Sequence, residues 1–170
     1  MHSAARFVNS RRLTVLASLL LVPALRAQGA PALTRPLPVD TAVTIGTLPN
    51  GLRYYIRVNH KPEKRAELRL VVNAGSILET NQQLGLAHVI EHMAFEGTRH
   101  FPKNTLVSYL QSIGMQFGAD LNASTGFDET VYQLTVPTDT ERIVNSAFQI
   151  LSDWAHGVLF DSSRVMAERE

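Results

Sequence analysis

At 170 residues the chain is long enough for one domain with a substantial core, and its 45% hydrophobic and 18% charged content is ordinary for a globular protein. Sixteen basic residues against 15 acidic ones give a net charge of +1, so no basic excess is present to attract a phosphate backbone. The lack of cysteine excludes disulfides and Cys-ligated structural zinc; any zinc site must be built from histidines and carboxylates.

The first segment reads as a secretory signal. Arg6, Arg11 and Arg12 precede an apolar run from Leu13 to Leu25, and a small residue, Ala27, follows. That run is shorter than the ~20 residues a membrane-spanning helix requires. The expectation is export to the periplasm or beyond, with cleavage after Ala27 and no stable membrane span once residues 1–27 are removed. Arg11-Arg12 leaves the twin-arginine route open beside the ordinary one. Removing Arg6, Arg11, Arg12 and Arg26 leaves 12 basic residues against 15 acidic, a net −3, which argues further against nucleic acid as a partner. Residues 28–40 are proline-rich and read as an extended linker, and the domain proper is expected over 41–170.

Two β-rich runs, "VTIGT" and "LRYYIRV", flank Asn50-Gly51, a strong hairpin signal. "AELRLVVNAGSI" alternates and is β-branched, so it reads as a further strand. The period then becomes helical. Thr80 and Gln83 fit a capping box, Leu84, Ala87, His88, Glu91 and Phe95 follow at helical spacing, and Gly97 stops the helix. Asn104 can cap a second helix ending at Gly114. A glycine-containing stretch leads to a strand from about Thr130 to Val136. Thr138 and Glu141 fit another capping box, ahead of a helix with an apolar stripe of Ile143, Ala147, Ile150, Leu151 and Trp154. Asp161 can cap a last helix that is still running at Glu170. The order predicts an α+β fold, a two-layer sandwich of a mostly antiparallel sheet with helices on one face, incomplete at its C-terminal end.

Within "GLAHVIEHMAFEGT", His88 and His92 lie four residues apart and therefore one turn apart on one face of the helix. Two imidazoles so placed can hold one divalent cation. Glu91 shares the face but adjoins His92, which suits it to hold and deprotonate a water rather than to bind the same ion. His-x-x-Glu-His is the reversed form of the zinc-protease helix motif. His100 and His156 have no partner at ligand spacing. Phe95, Phe101, Tyr109 and Phe117 read as core.

Five segments in order, "TLPNGLRYYI", "AGSILE", "GLAHVIEHMAFEGT", "GADLNASTGFDETVY" and "RVMAERE", resemble the pitrilysin/insulinase family of zinc peptidases. The resemblance covers residues 48–170. It implies that His88 and His92 are zinc ligands, that Glu91 is the catalytic base, and that Asn122 and Ala123 lie on a strand receiving a peptide or small protein as an added β-strand. It also implies a second related domain, in the same chain or a partner chain, that helps enclose the substrate. The third zinc ligand would be a glutamate past the Arg169-Glu170 pair, with Glu168 and Glu170 as alternatives by simple counting. The competing reading is a non-catalytic binding or scaffold subunit of the same fold. An intact His-x-x-Glu-His favours the peptidase.

Overall fold

The structure is a computed structural model that describes residues 38–168, with the exception of residue 104. The expected signal segment, most of the linker, the Asn104 cap and Arg169-Glu170 lie outside the described residues. The chain divides into two units, Met1–Thr41 and Ala42–Glu170, and the strands and helices described below belong to the second.

Strands β1 (Val43–Thr47) and β2 (Arg53–Arg57) form the expected antiparallel hairpin. Its turn needs glycine: Gly51 sits at φ +89°, donating its N–H to Leu48 O at 2.9 Å, while Asn50 Oδ1 accepts the Leu52 N–H. Among the described residues this hairpin is a sheet of its own. The second sheet has three antiparallel strands in the order β3 (Arg65–Val72), β5 (Thr130–Pro137), β4 (Leu121–Thr125).

Register explains which face of that sheet is greasy. Leu68 pairs with Leu134 and Leu70 with Tyr132, while Leu121 and Ala123 meet Leu134 and Tyr132 from the other side. Side chains alternate along a strand, so these residues share one face, and β5 alternates strictly between buried and half-buried. Helix α3 (Glu141–His156) covers that face at β3 and β5, burying Ala147, Ile150 and Trp154 with Ile143 and Leu151 beside them. Helix α1 (Leu86–Glu96) lies against β4 and buries Met93 and Ala94. Helices α2 (Thr105–Ser112) and α4 (Ser162–Ala167) complete the helical layer, α2 through Leu106 and Leu110. Trp154 stacks on Tyr132 at 5.3 Å between ring centres and donates its indole N–H to Ala94 O at 3.1 Å. The sandwich of antiparallel sheet and helices is the architecture expected from the element order.

Two helix starts differ from the capping-box reading. Thr80 and Gln83 do hydrogen-bond (Thr80 N–H to Gln83 Oε1, 3.2 Å), but they close a turn, and α1 begins only after Gly85 at φ +85°. The cap is Glu79: its carboxylate accepts the Gly85 N–H at 2.8 Å and the Ala87 N–H at 2.7 Å. A full negative charge thereby meets the unpaired amides and the positive dipole end of the helix, which a threonine hydroxyl could not match. Likewise Thr138 does not cap α3. Its N–H extends the sheet by donating to Lys64 O, and the helix starts after Thr140 with no side-chain cap. Asp161 caps α4 as expected, accepting the Ser163 and Arg164 N–H groups; the Ser163 hydroxyl and these amides hold its carboxyl below the usual range.

Candidate metal centre and cleft

Glu79 is itself anchored. A short 3-10 turn, Ser76–Leu78, docks on the β4–β5 hairpin, with Ser76 N–H donating to Gly126 O and Ile77 N–H to Phe127 O. Gly75 permits this approach, because a Cβ there would come within 2.5 Å of Gly126 O. The start of α1, where His88 sits, is thus fixed by a chain of contacts running back to the sheet.

From α1, His88 and His92 project to the exposed side, while Glu91 is only 7% exposed. The two imidazole Nε2 atoms lie 3.1 Å apart, with the rings nearly perpendicular at 79°. Two Zn–N bonds of about 2.0–2.1 Å at a tetrahedral angle place their nitrogens about 3.3 Å apart, so this separation fits a shared cation. The Nδ1 of His92 lies 2.6 Å from Glu168 Oε2. As a donor to that carboxylate, Nδ1 carries the proton, which leaves Nε2 with its lone pair facing His88. Glu168, one of the alternatives for the third ligand, therefore meets His92 on the ring edge away from the point where the two Nε2 atoms converge. Among the described residues no group of three or more His, Asp or Glu surrounds one point, so the site supplies two donors. Donor type, ring orientation and spacing all suit zinc.

Glu91 points inward from the same turn. Its Oε2 accepts the Thr125 hydroxyl at 2.6 Å, across from the end of β4. Tyr132 lies close enough that burial, and then the Glu91 carboxylate, push its hydroxyl up to about 12, keeping it neutral. Thr125 has no sequence signal of its own as a partner of Glu91, and counting from His92 reached Glu168 only as a candidate metal ligand; separations of 34 and 76 residues lie outside any helical or strand period.

Glu91, His92 and Glu168 line an open cleft of about 630 Å³ together with Asn122, Ala123, Phe95, Val107 and Phe117. Asn122 and Ala123 thus share the cleft with Glu91 and His92, coming from strand β4, whose only strand partner among the described residues is β5. Ala123 N–H is satisfied by Asn122 Oδ1 at 2.9 Å. Of the aromatics read as core, Phe101 and Tyr109 do pack against it, and Phe95 is half-buried. Phe117 is 58% exposed: it stands on the loop before β4, bridged to Leu121, with its ring 5.7 Å from that of Phe95 between centres.

Residues 55–170 match the model for Insulinase (Peptidase family M16). The chain belongs to the insulinase family of peptidases. Relatives in this family include the probable zinc protease PqqL of Haemophilus influenzae, 39% identical over 133 residues, which are 78% of this chain and 14% of that protein. The same protease of Escherichia coli is 39% identical over 157 residues, 92% of this chain and 16% of its own length. The chain therefore spans about one-seventh of the length of these insulinase-family relatives. The crystal structure of the first half of the periplasmic protease PqqL from E. coli superposes with a TM-score of 0.75 at 40% identity, covering 78% of this chain and 28% of that one. No helix among the described residues is long and apolar enough to cross a membrane.

His100, which has no partner at ligand spacing, has one in space. Its Nδ1 lies 2.8 Å from Asp153 Oδ1, and its backbone N–H and the Thr98 hydroxyl donate to Asp153 Oδ2 at 2.9 and 2.6 Å. This cluster fastens the segment after α1 to α3, away from the cleft lining, and belongs to the scaffold.

Proposed function

We propose that the full-length protein is an exported zinc endopeptidase, with this domain carrying the metal-binding helix. The observation that supports this best is the convergence of the His88 and His92 Nε2 atoms beside a buried, hydrogen-bonded Glu91. His88 and His92 would hold the zinc, and a third donor is expected from a glutamate beyond residue 170. When bound, zinc acidifies water and polarises a carbonyl oxygen. Glu91 then serves as general base: one carboxylate oxygen is engaged by Thr125, and the other is left to take a proton from water and return it to the leaving amine. Asn122 and Ala123 supply a strand edge on which an extended peptide can add, its backbone replacing the local Asn122–Ala123 hydrogen bond. A second, related domain is expected to close over the peptide.

Protein recovered from the periplasm of its native host should begin near Gln28 and cleave an unstructured peptide. It should lose that activity to a chelator and recover it with zinc. An intact Met1 in a soluble cytoplasmic form would overturn the export reading, and a preparation with zinc bound that cuts no peptide offered would shift the function to a scaffold subunit.

Glu168 gives a separate test. Glu168→Gln keeps the contact's shape but weakens the acceptor, so zinc affinity of the full-length protein should drop by about 10–100-fold. Competition with a chromogenic chelator measures this. Unchanged affinity would mean that the contact does not orient the His92 ring.

A further inference from the structure

We infer that Thr125 is a positioning residue for Glu91, and that it links the substrate-accepting strand directly to the base; this rests on the peptidase reading above. The Thr125 hydroxyl donates to Glu91 Oε2 at 2.6 Å, the short distance of a charge-assisted O–H···O⁻ bond. Glu91 as a residue is only 7% exposed, so few waters compete for its side chain. Rotation of a glutamate carboxylate about its last bond is soft, and without a fixed donor the oxygen facing the reacting water would be poorly defined. A β-branched threonine has a restricted χ1, which makes it a stiffer donor than serine.

Its place in the fold adds the second half of the argument. Thr125 is the last residue of β4, three positions from Asn122 and two from Ala123, and is paired with Thr130 across the hairpin. The next residue, Gly126, is locked to Glu129 O at 2.8 Å and receives the Ser76 N–H, so the strand end cannot drift alone. A peptide aligned along β4 is therefore held in register with the residue that aims the base. One rigid segment sets both where the scissile bond lies and where the proton acceptor points.

The test uses the full-length enzyme carrying T125V, which keeps shape and removes the donor, and T125S, which restores it. T125V should lower kcat about 10–100-fold, the scale of a misaimed acid–base group, with KM within a factor of about two and zinc content unchanged. T125S should return kcat to within about threefold of wild type. In an E91Q background, T125V should cause no further loss, because a residue that acts through Glu91 has nothing left to aim. Crystal structures of the variants should show the Glu91 carboxylate turned away from position 125 in T125V and not in T125S. If T125V does not fold, T125A carries the same expectations. Wild-type kcat in T125V, an equal loss in the E91Q background, or a failure of T125S to rescue would overturn the assignment. Full activity of E91Q itself, with zinc present, would instead overturn the peptidase mechanism on which it rests.

Discussion

Glu91→Gln in the full-length protein should lower peptide cleavage by a factor of about 10²–10⁴ while zinc stays bound, the loss expected when acid–base catalysis is removed. The substitution preserves the side chain's volume and can still accept from the Thr125 hydroxyl, so the buried environment is kept. What disappears is proton affinity. His88→Ala should behave differently, because one imidazole fewer opens the site and removes metal and activity together. Zinc content and cleavage of an unstructured peptide, measured side by side, separate the two variants. An active, zinc-loaded Glu91→Gln protein would remove Glu91 from the chemistry.

The second large effect concerns stability. Asp153 is 2% exposed and accepts from the Thr98 hydroxyl, the His100 N–H and the His100 ring. Asp153→Ala strands these donors, Thr98 being 1% exposed, and should destabilise the domain by about 2–4 kcal/mol, the cost of several unsatisfied polar groups. Thermal melting of the full-length chain, or hydrogen exchange at α3 and residues 97–101, reports it. The pH dependence has a definite sign. Burial pushes the Asp153 carboxyl up, but hydrogen bonds from Thr98 and His100, with the charge of His100, outweigh it, and the net direction is down. A depressed folded value means that the stabilisation is fully present above the unfolded value of about 3.9 and is lost as pH falls through the folded value. The gap between wild type and Asp153→Asn should therefore narrow under acidic conditions, below about pH 4. A gap that widened there would contradict the network.

Local pattern carried much of the fold. The Asn50-Gly51 turn, the alternation of β3 and β5 and the apolar stripe of α3 each follow from a period or a turn residue within a few positions. The helix carrying His88, Glu91 and His92 was legible for the same reason, since a five-residue spacing decides which side chains share a turn. The misread helix starts have a common cause. Both Thr80 and Thr138 have the right composition for a cap, but each sits where a stronger competitor wins: the Glu79 carboxylate in one case and a continuing backbone ladder in the other. Strand β4 was legible only by resemblance, as it is five residues long and follows a glycine-bearing loop. The long-range partners, Thr125 for Glu91, Glu168 for His92 and Asp153 for His100, leave no trace in periodicity, because only the folded sheet and helices bring them together.

Helix α1 divides its labour by face. Met93 and Ala94 are locked into the core, whereas His88 and His92 stand in solvent and contribute little to burial. A lineage can therefore exchange either histidine without first having to rescue a failing fold, since exposed substitutions typically shift stability by no more than about 0.5 kcal/mol. On the proposed peptidase reading the architecture can outlive its chemistry: a duplicated copy that drifts at these two positions keeps its cleft and its strand edge, and with them a surface for holding a chain without cutting it.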